Sequence, residues 1–300
     1  MDWITGMQKA IDYIEANLTE EIDYEKVAAQ SFSSSYHFQR VFSILCGYTL
    51  GEYIRLRRLS LAGTELATGK EKVIDIALKY GYDSPDSFSK AFQKFHGITP
   101  SQARADGNML KSFSRLSIKI SLEGGAIMNY RIEEKPRIVF TGFKRRFTGT
   151  PDNRHKQERD FYLQTRLNQY ALMGLARDLD TSYSIMTNFA DDGYDYYIAG
   201  ILNPFGANDL GKVLGEDAQR FEKIVVPARK YLVCETERTQ YPVELTEELR
   251  RKMISEWLPS SDYRLAEAPE ITVNHWFFKR GDKAINSSRY IELWIPIEKK

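Results

Sequence analysis

Val27-Ala28-Ala29-Gln30, a short turn, Tyr36-His37-Phe38-Gln39-Arg40-Val41-Phe42 and then Gly47-Tyr48-Thr49 form the first half of a repeat. About fifty residues later Ile76-Ala77-Leu78-Lys79 leads through another turn to Ser87-Phe88-Ser89-Lys90-Ala91-Phe92 and Gly97-Ile98-Thr99-Pro100. Phe38 and Phe88, Arg40 and Lys90, Phe42 and Phe92, Gly47 and Gly97, and Thr49 and Thr99 share one spacing. Ala28 and Ala77 stand one residue closer, which puts the difference in length at the turn. Two copies of a small helix–turn–helix unit on one chain fit a protein that reads two stretches of DNA groove without dimerising.

The pattern around the repeat is helical throughout. Met7, Ile11, Ile14 and Leu18 fall at helical steps, and Thr19 or Asp23 is placed to cap a second, short helix. Ser33-Ser34-Ser35 offers N-cap hydroxyls for the next, whose buried stripe is Phe38, Val41, Phe42 and Leu45. That stripe assigns Tyr36, Gln39 and Arg40 to the opposite, exposed face, the part of such a helix that enters the major groove. Gln pairs bidentately with an adenine edge and Arg with a guanine edge. Gly47 reads as a C-cap, and Thr49 opens a long helix to Thr68 on which Arg55, Arg57 and Arg58 are placed to reach phosphates. In the second unit Ser84 as N-cap with Pro85 at the first helical position marks a helix start. Phe88, Ala91, Phe92 and Phe95 point inward there, leaving Asp86, Ser87, Ser89, Lys90 and Lys94 outward. His37 sits inside the apolar pattern and reads as a packing residue, not a metal ligand.

These motifs resemble the AraC family of transcription regulators over roughly residues 5–105. The match rests on His37–Phe42, Leu50-Gly51-Glu52-Tyr53-Ile54-Arg55-Leu56-Arg57-Arg58, Ile74-Asp75-Ile76-Ala77, Gly81-Tyr82, Phe88–Phe92 and Thr99-Pro100. The resemblance implies that Tyr36, Gln39 and Arg40 read one groove segment and that Asp86, Ser87, Ser89 and Lys90 face the next. Two positions depart from the family. Phe32-Ser33 stands where Gly and an apolar residue are usual, and Asp86 brings a carboxylate near DNA, read here as helping to cap its helix.

Composition bounds the rest. Three hundred residues suffice for two domains, and 42% hydrophobic residues with a net charge of +1 describe a globular chain. No apolar run reaches the length of a membrane helix, and the N-terminus lacks a signal-peptide pattern. Cys46 and Cys234 form no disulfide framework, which predicts a cytoplasmic protein, and no metal or cofactor motif is evident. Residues 1–107 carry 12 Lys and Arg against 14 Asp and Glu. The acids crowd the first helices, whereas residues 30–70 hold five basic residues against two acids, the local positive face that phosphate contact needs.

Residues 108–127 read as a linker: Asp106-Gly107-Asn108 breaks the helix, Leu116, Ile118, Ile120 and Leu122 alternate like a strand, and Gly124-Gly125 follows. Lys111, Arg115 and Lys119 make it basic. Residues 1–107 are therefore expected as an all-α DNA-binding domain and 128–300 as an α+β domain. In the latter, strands at Arg137–Phe147, Tyr194–Leu202, Lys230–Thr236, Ile271–Phe278 and Arg289–Ile297 surround helices at His155–Asp178 and Thr246–Trp257. Strand–helix–strand–strand twice over predicts a pseudo-twofold arrangement on an antiparallel sheet.

In the last strand, Ile291, Leu293, Ile295 and Ile297 share one face and Tyr290, Glu292 and Trp294 the other. A carboxylate between aromatics suits a lipophilic cation, each favourable ring adding about 0.5–2 kcal/mol. The same pattern also fits an exposed face with a solvated Glu, or a Glu paired to a nearby Arg. Residues 128–300 resemble the GyrI-like small-molecule-binding domain of multidrug-sensing and Rob-type AraC proteins. Tyr196-Tyr197-Ile198-Ala199-Gly200-Ile201, Glu256-Trp257-Leu258-Pro259 and Tyr290–Ile297 carry the match. That resemblance implies Glu292 as the cation-recognising acid, Trp294 beside it, and Tyr197 and Trp257 as pocket walls, although Trp257 equally suits a core.

Together these readings predict a ligand-responsive, sequence-specific transcription activator that binds double-stranded DNA, a small lipophilic effector and RNA polymerase, as a monomer or weak dimer. The alternative is hydrolysis of reactive small molecules with Glu292 as general base. The chain shows no nucleophile elbow, HExxH or phosphate loop, so a non-enzyme is expected, with no catalytic residues.

Overall fold

The repeat folds as two helix pairs joined by one long helix. The computed structural model describes residues 3–105, 107–118, 128–204, 212, 215–276 and 287–300. Two units result, residues 1–42 with 48–122 and residues 43–47 with 123–300. Helix α1 is Trp3–Ala16, α2 Tyr24–Ala29, α3 Ser35–Cys46, α4 Leu50–Thr68, α5 Val73–Lys79 and α6 Pro85–His96. Four of the six starts carry a capping hydroxyl or carboxylate, while α5 starts after Lys72 without a side-chain cap bond. Asp23 accepts from the Glu25 amide and Ser34 from that of His37, while Thr49 and Glu52 bond reciprocally to each other's amides. Ser84 accepts from the Ser87 amide, with Pro85 following. Leu59, Ile76, Ala77, Phe88 and Phe92 are fully buried in one cluster, and small Ala28 and Ala77 are both at 0% exposure at their helix crossings. Thr99-Pro100-Ser101 leads only into a 3-10 turn, Gln102–Arg104.

The turn at Phe32-Ser33 does what glycine would do. Phe32 adopts φ 53°, matching Gly81 at φ 77° in the second unit, and its ring is 78% exposed. A left-handed L-residue costs about 1–2 kcal/mol, and glycine returns part of that in chain entropy. Phe32→Gly is therefore expected to stabilise the helical unit by roughly 0.5–1 kcal/mol; an unchanged or lower urea midpoint contradicts the strain.

His96 ties the unit together in a way no motif announced. It is buried at the end of α6, where Nε2 donates to the Leu59 carbonyl over 3.0 Å and Nδ1 accepts the Lys111 amide over 3.2 Å. The ring fills the space beside Gly63, whose Cβ, if present, sits 2.7 Å from it. Burial pushes its pKa down, outweighing the Leu59 carbonyl, and Lys111 adds to the depression. The folded ring stays neutral while the unfolded one takes a proton near pH 6.5, so this stability is complete above that pH and is lost as pH falls below it. Thermal melts from pH 7.5 to 5 are expected to drop more for the wild type than for His96→Gln; parallel curves contradict this.

The described part of the 108–127 segment does not hang free. Residues 108–118 lie extended along α1 and α4. The Phe113 amide donates to Ser60, the Leu116 amide to the Tyr53 hydroxyl and the Ile118 amide to Gln8. Arg115 pairs with Asp12, and the Phe113 ring packs edge-on against Tyr48 and Tyr53. The alternation at Leu116 and Ile118 reflects this docking and not a sheet strand. Asp106, Lys119, Ile120, Leu122, Gly124, Gly125 and Phe278 lie outside the described residues.

The second unit has strands β1 Tyr130–Lys135, β2 Ile138–Thr148, β3 Thr181–Ala190, β4 Gly193–Gly200, β5 Glu222–Val226, β6 Arg229–Glu235, β7 Tyr263–Leu265, β8 Glu270–His275 and β9 Tyr290–Lys299. Helices α7 Pro151–Gln164, α8 Arg166–Leu175 and α9 Thr246–Lys252 cross it, and a π-turn at Met253–Trp257 continues α9. The antiparallel order is β1-β6-β9-β8-β3-β4-β2-β5, with β7 on β9. Strand–helix–strand–strand occurs as β2-α7/α8-β3-β4 and as β6-α9-β8-β9, and the two halves meet at the β3–β8 pair. Each half lends its leading strand to the other, β1 pairing β6 and β5 pairing β2. One sheet face carries Phe140, Ile185, Tyr197, Tyr231, Val273 and Trp294. The alternate face carries Phe143, Phe147, Met186, Tyr196 and Ile198, packed on Phe161 of α7 and Leu172 of α8.

Candidate nucleic-acid interface and effector site

The more exposed polar helix face of the repeat belongs to the second helix pair. On α6, Phe88 and Phe92 are fully buried, while Asp86, Ser87, Lys90, Gln93 and Lys94 are exposed and Ser89 is half-buried. The cap is Ser84, so Asp86 stands in the first turn, where its charge favours the helix N-terminus. The Ser87 hydroxyl donates to the Ser84 carbonyl, which commits it partly to that turn.

On α3 the picture differs. Tyr36 and Gln39 are half-buried, the Gln39 amide donating to Ser35 over 3.0 Å, and Arg40 is 7% exposed. The expected open position of Arg40 is corrected: helical period puts it off the Phe38–Val41–Phe42 stripe, but period sets no limit on what else covers a long side chain.

Two of the three arginines of α4 are structural. Arg57 binds Glu15 bidentately over 2.8 Å and donates to the Phe113 carbonyl over 2.5 Å, with side chains only 12% and 10% exposed. Burial pushes the Glu15 carboxyl up, and bonds from Arg57 and Tyr53 outweigh it, leaving the pKa below the usual range. Arg58 donates to the Leu18 and Glu20 carbonyls after α1, and burial lowers its pKa. Both were expected to reach phosphates; their fork geometry instead meets the carboxylate and carbonyls left at the end of α1. Arg55 remains half-exposed.

In the sheet unit Glu292 is a paired carboxylate. Arg131 of β1 lies 2.9 Å from Oε1 and binds Glu235 over 2.6 Å, while contacting Glu133. The Trp294 indole donates to Oε2 over 2.7 Å, and His275, stacked on Tyr290, lies 3.6 Å from Oε1. Burial alone pushes the Glu292 carboxyl up; His275, the Trp294 bond and the Arg131 charge outweigh it and hold the pKa at about 2. Of the readings open for this strand, the Glu–Arg pair is the one that forms.

Trp294 and Tyr197 lie in one cross-strand row, linked by Ile271 and Ile185. Each faces a cation of the chain itself: Lys135 Nζ is 4.0 Å from the Trp294 ring centre, and Lys144 Nζ is 5.5 Å from that of Tyr197. Both aromatic side chains are buried. Trp257 does not join them. It stacks on Tyr263 and meets Tyr130 edge-on, so its place as a pocket wall is corrected to packing beside β1 and β7. Sequence reading missed Arg131 and Lys135, because β1 carries charges at most positions, and missed Lys144, because a strand reading of β2 does not show that Tyr197 lies opposite it.

Burial pushes both cysteine thiols to about 12, which keeps them protonated and unreactive. Among the described residues no group of three His, Cys, Asp or Glu gathers to hold a metal, and no helix is long and apolar enough to cross a membrane.

Comparison with known proteins separates the same two parts. Residues 27–106 match a helix-turn-helix domain family, and residues 131–297 match the family of the integron-associated effector binding protein. The HTH-type transcriptional activator AarP of Providencia stuartii is 48% identical over 92 residues, 31% of this chain and 68% of that protein. The regulatory protein SoxS of Salmonella typhimurium is 39% identical over 98 residues, 33% of this chain and 92% of that one. The right origin-binding protein of Escherichia coli is 35% identical over 104 residues, 35% of this chain and 36% of that one.

Proposed function

We infer that this chain, which belongs to the AraC-type helix-turn-helix regulators and, through residues 131–297, to the integron-associated effector-binding family, is a ligand-responsive DNA-binding transcription regulator. The single observation that carries the DNA reading is α6, with its core residues fully buried and Asp86, Ser87 and Lys90 left open along its first turns. Gln39, Tyr36 and Arg55 are proposed as further contacts, and RNA polymerase as the partner of an activator. Two reading units on one chain make binding as a monomer sufficient.

Glu292, Trp294 and Tyr197 are proposed as the effector set. A cationic effector there competes with Arg131, Lys135 and Lys144, so binding exchanges an internal cation for an external one and supplies the differential affinity that switching requires. The hydrolase reading is less well supported, because a carboxylate held at about 2 is a weak proton acceptor at neutral pH.

The test of the DNA reading is fluorescence anisotropy on selected and random duplexes across a salt series. Lys90→Ala is expected to weaken binding to all duplexes and to lower the salt slope by about 1, the signature of one lost phosphate contact. Unchanged affinity and slope remove α6 from the interface.

A further inference from the structure

On the helix-covered face of the sheet, away from Glu292, lies a cavity of about 1160 Å³ between α7, α8 and α9. Strand alternation makes the separation strict: Ile291, Ser184, Tyr196 and Thr272 point into it, while Glu292, Ile185, Tyr197 and Val273 point to the other face. Its size suits a drug-sized ligand, and Leu172, Met173, Met186, Ile198, Tyr170 and Trp276 give it apolar and aromatic walls.

One acid faces this space from α7. Glu158 accepts a hydrogen bond from the Tyr196 hydroxyl over 3.0 Å, and Tyr196 in turn bonds the Tyr162 hydroxyl, which reaches Ser184. Among the described residues no ion pair holds Glu158. Of the nearby basic groups, His155 meets Glu247 across the rim and Arg250 pairs with Glu270, while Arg159, Arg166 and Arg289 also line the cavity. Burial pushes the Glu158 carboxyl up and Glu247 adds to this, against the Tyr196 bond, Arg250 and His155. Glu292 has its counter-ions built in; Glu158 has a cavity in front of it instead.

We propose that this cavity is a second ligand site, taking a lipophilic molecule with a protonated amine whose N–H donates to Glu158 while its apolar body lies against Met173, Met186 and Trp276. The Tyr196–Tyr162–Ser184 chain orients the carboxylate, and its pairing with the amine places opposite charges in a dry setting where their attraction is strong. The proposal rests on the sheet unit being a ligand-binding domain and not on the role of Glu292.

The test is titration of the full chain with propranolol, a lipophilic secondary amine whose naphthyl fluorescence reports binding, with DNA affinity measured in parallel. Glu158→Gln, which keeps the Tyr196 bond and removes the charge, is expected to weaken propranolol binding at least tenfold. Glu292→Gln is expected to change it less than twofold. Met173→Trp narrows the cavity beside the proposed apolar contacts while leaving Glu158 in place, and is expected to weaken propranolol binding at least tenfold at an unchanged melting temperature. Equal affinity in Glu158→Gln and wild type, loss in Glu292→Gln alone, or no binding at all overturns the site. None of these results alters the DNA affinity on which the regulator reading stands.

Discussion

Arg57→Ala is expected to destabilise the helical unit by about 3 kcal/mol, the low end for breaking a buried ion pair by removing one partner. The side chain joins α1 to α4 through Glu15 and ties down the extended 108–118 segment through the Phe113 carbonyl. Its removal leaves the Glu15 carboxylate, 10% exposed, with the Tyr53 hydroxyl as its remaining bond. The loss is pH-dependent with a definite sign. A carboxyl whose folded pKa is depressed stabilises above its unfolded value near 4.3 and loses that contribution as pH falls through the folded value. The difference between wild type and Arg57→Ala in urea unfolding is therefore expected to be full at pH 7 and to shrink below about pH 4. A variant as stable as wild type, with a salt slope for DNA reduced by one, returns Arg57 to the phosphate contacts.

Arg131→Met is expected to raise affinity for a lipophilic cation at Glu292 by roughly tenfold or more, about 1.4 kcal/mol. Methionine keeps much of the apolar stem and removes the charge that fills the carboxylate. Glu235 and Glu292 then lose a shared counter-ion, so the melting temperature falls and added cation restores it. Methyltriphenylphosphonium is the suitable probe, since it has no N–H and cannot use the Glu158 geometry. Affinity unchanged or lowered in Arg131→Met contradicts displacement of an internal cation.

The helical unit was legible because its signals are local. Caps at Asp23, Thr49 and Ser84, left-handed glycines at Gly47, Gly81 and Gly97, and the spacing of Phe38, Phe42, Phe88 and Phe92 all act within a few residues. The pseudo-twofold order of the sheet unit was legible for the same reason, although β1, β3, β5 and β7 were not. Mostly charged Tyr130–Lys135 becomes a strand by pairing with Leu232 and Val233, about a hundred residues further along the chain. The sites were less legible than the fold. Periodicity tells which face of α4 holds Arg57 and Arg58, but not that Glu15, Leu18 and Glu20 lie opposite them. Likewise the last strand displays Glu292 and Trp294, while Arg131 and Lys135 arrive from a segment about 160 residues earlier. Glu158 carried no motif at all, since its meaning depends on the cavity that α7 and the central strands enclose.

Ligand-responsive DNA recognition is tested by the affinity of the full chain for a selected duplex against a random one, by anisotropy from about 50 to 200 mM salt, with and without methyltriphenylphosphonium. A specific complex at least about a thousandfold tighter than the random one is expected, with an affinity falling steeply with salt and a shift in the specific affinity alone on adding the cation. A folded chain that binds both duplexes equally, with or without the cation, contradicts it.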